Sequence, residues 1–191
     1  YAGIPLSIQE SGTSICYLTG HKGIQMESKR MDFSKFAELG GIFCINMGIS
    51  KLEEIVDQLE TNGLSKKIPV AIVNHGTLAT QRHIICSLGT LLKEANSAKF
   101  TTPSIIFIGN AIGSARGKSW FESRPLFGKR FVVTRSNEQN GILKSKLEEL
   151  GSEVIELPLI KILPTEERKQ VAEVLTGIAT YEWVVFTSSN G

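Results

Sequence analysis

The sequence is poor in the residues that build metal sites and disulfide frameworks. Its 191 residues include only three cysteines and three histidines, and neither a Cys-x-x-Cys nor a His-x-x-x-His spacing occurs. The cysteines, Cys16, Cys44 and Cys86, are scattered and odd in number, which argues against disulfides and for a reducing compartment. We therefore expect free thiols, no metal site and a cytoplasmic protein.

Long apolar runs and a strong charge of one sign are also missing. No apolar run approaches the roughly 20 residues of a membrane-spanning helix, so we expect no membrane association. The net charge of +2 is too small to argue for a nucleic-acid partner. Neither a Gly-x-Gly-x-x-Gly nor a Walker loop is present, which counts against the usual nucleotide-binding proteins.

Over the first 110 residues, apolar segments of strand length alternate with segments of helical periodicity. The predicted strands are Thr13–Thr19, Gly41–Met47, Val70–Val73, Arg82–Ser87 and Ser104–Ile108. The predicted helices are Phe33–Leu39, one that begins at a Ser50/Glu53 capping box and ends near Gly63, and one with Leu88, Leu91, Leu92 and Ala95 on its buried face. Since Arg82–Ser87 suits an antiparallel strand, we predict an α/β fold with a mixed sheet.

A stretch rich in glycine, proline and basic residues interrupts this pattern between Gly113 and Arg130. We predict a first unit over residues 1–122, a linker over 123–129 and a second unit over 130–191. The strands predicted beyond the linker are Phe131–Thr134, Val154–Leu157 and Trp183–Thr187. Two helices are predicted there, capped by Ser136 and Thr165, with apolar faces on Leu143, Leu147 and Leu150 and on Val171, Val174, Leu175 and Ile178. Because the chain starts at Tyr1 and stops just after a strand-like run, we expect a longer polypeptide.

Polar segments follow several of the predicted strands. The most distinctive, Asn74 to Arg82, follows the apolar run Val70–Val73 and contains Gly76, which can adopt a positive φ and lets a ligand approach the backbone. Ligands of open α/β sheets bind at the carboxyl ends of strands. If Gly41–Met47 and Val70–Asn74 are neighbours in the sheet, their ends open onto one crevice. An ordinary polar turn is the alternative interpretation of this stretch.

Residues 1–122 resemble the C-terminal domain of uroporphyrinogen-III C-methyltransferase, of the tetrapyrrole methylase family. The segments that carry the resemblance, with order and spacing kept, are Tyr1-Ala-Gly-Ile-Pro5, Thr19-Gly20-His21, Asn46-Met47-Gly48, Asn74-x-Gly76-Thr77-x-x-x-Gln81-Arg82 and, at the domain end, Trp120-Phe121. Residues 125–191 resemble the start of uroporphyrinogen-III synthase, with flavodoxin-like βαβ units. The segments here are Arg124–Arg130, Val133-Thr134-Arg135, Leu157-Pro158-x-Ile160-x-Ile162 and Phe186–Gly191. The whole is similar to the middle of a fused methyltransferase–synthase.

The resemblance implies two activities of tetrapyrrole biosynthesis. The methyltransferase takes methyl groups from S-adenosyl-L-methionine and converts uroporphyrinogen III to precorrin-2, on the route to sirohaem and cobalamin. The synthase closes hydroxymethylbilane to uroporphyrinogen III. The methyltransferase family is typically homodimeric, and its Gly-rich donor loop lies in an N-terminal domain that this sequence lacks. We therefore expect residues 1–191 alone to catalyse neither reaction.

The resemblance also implies residue roles, although it names no catalytic residue within this chain. Met47, Gly76 and Thr77 match positions at the methyl donor, and His21 and Arg82 match positions near the tetrapyrrole. In the synthase part, the matching substrate-loop residues are Ser188, Ser189 and Asn190. The alternatives are a plain core methionine, a turn glycine, a solvated histidine and a surface arginine.

One departure from the family pattern keeps other functions open. After Ile-Pro-Leu the family usually has Thr-His-Arg-Asp, whereas this sequence has Ser7-Ile8-Gln9-Glu10. Gln9 lacks the charge of the family arginine, which helps to hold a substrate with eight carboxylates. A tetrapyrrole-binding relative that has lost catalysis is therefore a second hypothesis, and an unrelated nucleotide-binding α/β protein is a third.

Overall fold

The computed structural model describes residues 1–8, 14–20, 41–115, 119–135, 137–163 and 165–187. Within these ranges the strands are β1 (Ile15–Thr19), β2 (Ile42–Asn46), β3 (Pro69–Asn74), β4 (Arg82–Ser87), β5 (Ser104–Ile108), β6 (Arg130–Val133) and β7 (Glu153–Glu156). The α-helices are α1 (Leu52–Thr61), α2 (Leu91–Ala98), α3 (Asn137–Glu149) and α4 (Arg168–Thr176). Short 3-10 helices occupy Ile49–Lys51, Leu88–Thr90, Asn110–Ser114 and Ile178–Thr180. The helix predicted at Phe33–Leu39 and the cap predicted at Ser136 lie outside the described residues.

The first five strands form one mixed sheet in the order β1-β2-β5-β3-β4. β1 and β2 are parallel, whereas β5 is antiparallel to both β2 and β3, and β4 is antiparallel to β3. The predicted mixed α/β fold, with Arg82–Ser87 as an antiparallel strand, is confirmed. β2 and β3 are not neighbours, because β5 lies between them and pairs with both. They nevertheless run the same way, so β1, β2 and β3 all end at one side of the sheet, which we call the carboxyl edge.

Helices α1 and α2 pack against one face of the sheet and form the main core. The face predicted for α1 is buried, as Leu52, Ile55, Val56 and Leu59 are each less than 9% exposed. The predicted capping box is wrong, because Ser50 belongs to the preceding 3-10 helix and no side-chain hydrogen bond caps α1. That extra turn moves the start of α1 to Leu52, so Ser50 is not at the capping position. Gly63 follows the helix with φ 93°, as a terminating glycine should.

The opposite face of the sheet is covered at one end by the first residues of the chain. Ile4, Leu6 and Ile8 pack against a small cluster made of Ile42, Cys44, Ala71, Ala111 and Ile112. All three cysteines are free. Burial, and secondarily the nearby Cys16, raises the pKa of the Cys44 thiol to about 11. Burial also raises the pKa of Cys86.

We expect Cys44 to be the slowest of the three thiols to react with iodoacetamide at pH 8. The thiolate is the reacting species, and Cys44 is fully buried with a pKa about two units above its ordinary value. Mass spectrometry of the digested protein after timed labelling measures the three rates, and labelling in urea supplies the control in which the rates converge. Equal labelling of Cys44 and the half-buried Cys86 in the folded protein would contradict the burial described here.

In the described residues beyond 129, β6, α3 and β7 form a βαβ unit, which α4 follows. β6 and β7 are parallel, with Phe131 opposite Val154, and α3 connects them. The strand predicted at Trp183–Thr187 is wrong, since residues 181–187 contain no strand and no described strand lies beside them to supply hydrogen bonds. The cap predicted at Thr165 is also misplaced. Its hydroxyl accepts from the Glu167 N–H at 3.2 Å, but α4 begins only at Arg168.

The segment predicted as a linker is folded into hydrogen-bonded turns. The Leu126 N–H donates to the Leu150 carbonyl at 2.9 Å, which joins the segment to the end of α3. The Arg124 guanidinium lies 4.7 Å from the centroid of Trp120, and Phe121 contacts Phe127 with ring centroids 5.5 Å apart. Among the described helices, none is long and apolar enough to cross a bilayer.

Candidate functional site

Five chain segments meet at the carboxyl edge of the sheet. Three are strand ends, followed by Gly20 after β1, by Met47 after β2 and by His75 after β3. The other two are strand starts, Arg82 of β4 and Ser104 of β5, and both are paired with Asn74 at the end of β3. The sheet therefore places Met47 and the segment after Asn74 at the same edge, on either side of β5.

Left-handed backbone conformations concentrate at this edge. Four non-glycine residues in the described part of the chain have a positive φ, and three of them, Met47 (54°), His75 (50°) and Thr77 (71°), lie within three residues of the end of β2 or β3. The fourth, Lys99, ends α2. A positive φ is unfavourable for side chains with a Cβ, most of all for a β-branched residue such as threonine. Such strain costs about 1–3 kcal/mol per residue and collects at functional sites, so the edge is a candidate ligand site.

Residues 75–81, which we call the edge loop, are held by hydrogen bonds at both ends. The His75 N–H donates to the Pro103 carbonyl at 3.0 Å, and the Gln81 N–H donates to the Leu78 carbonyl at 2.9 Å. The Thr77 N–H donates to the Gln81 side-chain oxygen at 2.8 Å. The left-handed residues are thus His75 and Thr77, and not Gly76 between them. Gly76 and Thr77 are both exposed, which leaves their surface open to a ligand.

Met47 is presented to solvent by a close contact between two glycines. The Gly20 N–H donates to the Asn46 carbonyl at 2.7 Å, and a Cβ on Gly20 would lie only 2.5 Å from the Cα of Gly48. The ends of β1 and β2 touch there because neither glycine has a side chain. Met47 is 57% exposed, so the alternative of a plain core methionine is wrong.

Asn74 connects the edge loop to the start of β5. Its side chain is fully buried, and its amide nitrogen lies 2.7 Å from the Thr101 carbonyl oxygen and 3.0 Å from both the Pro103 carbonyl oxygen and the Ser104 hydroxyl. Its amide oxygen accepts from Arg82 Nη2 at 3.3 Å. A buried amide with this many partners fixes three segments of the edge relative to one another.

The Arg82 guanidinium is engaged within the chain. Besides Asn74, it donates from Nη1 to the Ala98 carbonyl at 3.2 Å, and it lies 5.2 Å from the centroid of the Phe100 ring. It therefore sits at the carboxyl edge but on the side where the helices pack. A contact between Arg82 and a substrate carboxylate stays a prediction.

Behind the edge loop lies a polar cluster that pattern reasoning missed. The Gln81 side-chain nitrogen and the His83 Nδ1 each donate to the same carboxylate oxygen of Glu122, both at 2.8 Å. Gln81 is only 3% exposed. Gln81 stands in the motif near Gly76, but Glu122 is 41 residues further on, and no local pattern connects the two.

Three of the predicted site residues, Met47, Gly76 and Thr77, lie at this edge on either side of β5, and Arg82 lies at the start of β4 on the same edge. His21, Ser188, Ser189 and Asn190 lie outside the described residues, as does Gln9. On the helix side, a cleft of about 250 Å³ opens next to the edge, lined by Ile49, Ser50, Glu53, Leu92, Asn96 and Phe100. Ligand pockets are commonly about 300–1,000 Å³, so this cleft suits a part of a ligand rather than a whole one.

Comparison with known proteins relates both parts of the chain to tetrapyrrole biosynthesis. Residues 141–191 match the family model described as uroporphyrinogen-III synthase HemD. The porphyrin biosynthesis protein HemD of Ruminiclostridium josui is 34% identical over 193 aligned residues, covering 100% of this chain and 38% of that protein. The uroporphyrinogen-III C-methyltransferase of Bacillus subtilis is 31% identical over 188 residues, covering 98% of this chain and 38% of that protein.

A third relative aligns with only part of the chain. The S-adenosyl-L-methionine-dependent uroporphyrinogen III methyltransferase of Methanosarcina barkeri is 31% identical over 112 residues, covering 59% of this chain and 44% of that protein. The chain thus spans less than half the length of each of these relatives. It is homologous to uroporphyrinogen-III C-methyltransferases and carries sequence of the uroporphyrinogen-III synthase type, and its relatives are enzymes of tetrapyrrole biosynthesis.

Proposed function

We propose that the carboxyl edge of residues 1–122 forms one side of a site for S-adenosyl-L-methionine. The observation that carries the proposal is the set of left-handed residues Met47, His75 and Thr77 at the ends of β2 and β3. Backbone strain of this kind persists only where the surrounding structure enforces it, and strained residues cluster at functional sites. The relatives named as uroporphyrinogen-III C-methyltransferases support the choice of ligand.

The residues at the edge suit such a ligand. Exposed Met47 offers a flexible, polarisable thioether for contact with an adenosyl group. A ligand can approach the backbone of the edge loop closely at Gly76, because glycine has no side chain. The donor supplies an electrophilic methyl group on a sulfonium, and the pyrrole carbon of the acceptor supplies the electrons. The contribution of these residues is therefore to hold the donor in line with that carbon.

The proposed reaction is the C-methylation of uroporphyrinogen III to precorrin-2 by the whole protein. In this proposal residues 130–191 start a uroporphyrinogen-III synthase that closes hydroxymethylbilane, and residues 123–129 join the two units. The match of residues 141–191 to the synthase family supports the second activity. One cytoplasmic polypeptide, homodimeric through its methyltransferase part, would then make uroporphyrinogen III and methylate it. Arg82 and His21 would face the acceptor, and Ser188, Ser189 and Asn190 would face the synthase substrate.

We expect the whole protein to bind S-adenosylhomocysteine in titration calorimetry, and Met47→Ala to weaken that binding by about 1–3 kcal/mol, the scale of one side chain newly buried. Ile155→Ala, which removes another exposed apolar side chain, from β7 (42% exposed, against 57% for Met47), serves as the control and should leave the affinity unchanged. Loss of affinity in the control but not in Met47→Ala would contradict the assignment.

The same preparation separates the other hypotheses. Binding of S-adenosylhomocysteine without formation of precorrin-2 from uroporphyrinogen III would identify a relative that has lost catalysis, as the Gln9 substitution suggests. Binding of ATP in place of S-adenosylhomocysteine would favour an unrelated nucleotide-binding protein and would overturn the proposal.

A further inference from the structure

We propose that Glu122 is a positioning residue for the methyl donor, acting on the edge loop through Gln81. The inference rests on the function proposed above. It starts from a chain of hydrogen bonds that runs from the Glu122 carboxylate, through the Gln81 amide, to the backbone N–H of Thr77. Glu122 does not belong to the edge itself, so it acts on a ligand only through this chain.

The carboxylate fixes which way the Gln81 amide points. An ionised carboxylate only accepts hydrogen bonds, and a backbone N–H only donates. The Gln81 NH₂ must therefore face Glu122 and its oxygen must face Thr77, as the two 2.8 Å contacts show. Because Gln81 is nearly fully buried, water cannot readily take over either contact. With Glu122 present, only one orientation of the Gln81 side chain satisfies both neighbours.

The chain of hydrogen bonds ends at Thr77, whose backbone conformation is unfavourable unless other contacts hold it. Thr77 is β-branched and has φ 71°, a conformation that its side chain disfavours. The hydrogen bond from its N–H to Gln81 is one of the contacts that hold it there. Without a correctly oriented Gln81, we expect Thr77 to relax toward an ordinary φ and to carry Gly76 with it. Both are residues that we assign to the donor.

Glu122 itself is held at a fixed place. Its backbone N–H donates to the Ser119 hydroxyl at 3.1 Å, and that hydroxyl in turn donates to the Tyr1 carbonyl. Ser119 is buried, and so is Phe121 next to Glu122. The His83 ring donates to the same carboxylate oxygen as Gln81. These contacts hold the Glu122 carboxylate in place, and through Gln81 the carboxylate positions the edge loop.

The experiment uses the whole protein, with S-adenosylhomocysteine as the probe in titration calorimetry at 20 °C. We expect Glu122→Ala to raise the dissociation constant about tenfold, as for loss of a charge-assisted hydrogen bond. Glu122→Gln keeps an accepting oxygen and should recover most of the affinity. Gln81→Ala should match Glu122→Ala, and the double variant should bind no more weakly than either single one, because both act through one chain.

Two further measurements distinguish positioning from a general loss of stability. Glu54→Ala removes an exposed glutamate that pairs with Lys51 at 3.3 Å, and it should leave the dissociation constant unchanged. Thermal unfolding by circular dichroism reports whether each variant is folded at the temperature of titration. If Glu122→Ala does not fold, Gln81→Asn replaces it, since the shorter amide cannot reach both Thr77 and Glu122, and the same tenfold weakening is expected.

These experiments distinguish a failure of the positioning role of Glu122 from a failure of the proposed donor site. An unchanged dissociation constant in folded Glu122→Ala, or in Gln81→Asn where that variant replaces it, would overturn the positioning role. Gly76→Leu places a large side chain in the space assigned to the donor, and if that variant abolished binding, the donor site would stand without the positioning role of Glu122. If Gly76→Leu also left binding unchanged, the site itself would be wrong, and the inference would fall with it. Additive effects of Glu122→Ala and Gln81→Ala would show two independent contributions and would also overturn the proposed chain.

Discussion

Replacing Gly76 with leucine is expected to abolish binding of S-adenosylmethionine by the whole protein while leaving the fold in place. Gly76 does not have a left-handed φ, so a side chain there meets no backbone penalty. A Cβ would lie 3.4 Å from Val73 Cγ1 and 4.0 Å from the Gln81 side-chain oxygen, contacts that small shifts accommodate. The rest of a leucine side chain then extends from an exposed position into the space that we assign to the donor.

Titration calorimetry measures this loss of binding, and circular dichroism melting confirms the fold. Gly76→Ala is the matched control, because it adds only the Cβ and should keep both the melting temperature and most of the affinity. Unchanged affinity in Gly76→Leu would place the donor crevice elsewhere. The assignment of a methyl donor to these residues would then rest on the relatives alone.

Asn74→Ala is expected to lower the free energy of unfolding by about 3 kcal/mol, the scale set by leaving several buried polar groups without a partner. The substitution removes the amide that joins Asn74 to Thr101, Pro103 and Ser104, and it removes an acceptor from Arg82. Ser104 keeps its own hydrogen bond to Thr101, so part of the turn should survive.

Urea unfolding followed by circular dichroism tests this expectation. Asn96→Ala is the control, because Asn96 is an exposed residue in α2, where alanine is the better helix former. It should leave the stability unchanged or slightly higher. A loss of less than about 1 kcal/mol for Asn74→Ala would show that water replaces the amide, and that the three segments do not depend on it.

The fold class could be predicted because it depends on local patterns. Ser104–Ile108 and Arg82–Ser87 have the bounds that their apolar and β-forming residues indicate. The sheet order could not be predicted, since the pairing of Asn46 with Ile105 joins residues almost 60 positions apart. The run Trp183–Thr187 was wrongly predicted as a strand for the same reason. A β-forming run becomes a strand only beside a pairing partner, and local sequence does not show whether a partner is present.

In the candidate site, too, some features could be predicted from the sequence and others could not. Met47, Gly76 and Thr77 could be placed at the carboxyl edge of the sheet because strand ends are visible in the sequence. The backbone conformations could not, since sequence rules give a positive φ to glycine, whereas here it falls on His75 and Thr77. Glu122 was missed because its link to Gln81 exists only in three dimensions. The choice of S-adenosyl-L-methionine as the proposed ligand comes from the resemblance to known enzymes, because neither strand ends nor backbone strain specify a ligand.

The position of β5 has a consequence for the size of any ligand at the carboxyl edge. Neighbouring strands lie about 4.8 Å apart, and β5 separates β2 from β3, so their ends are two spacings, or roughly 10 Å, apart. A molecule that contacts the ends of both β2 and β3 must therefore span roughly 10 Å. Linking two weak contacts in one molecule strengthens binding far beyond each part. The intervening strand β5 thus sets a minimum length for any ligand that contacts both strand ends.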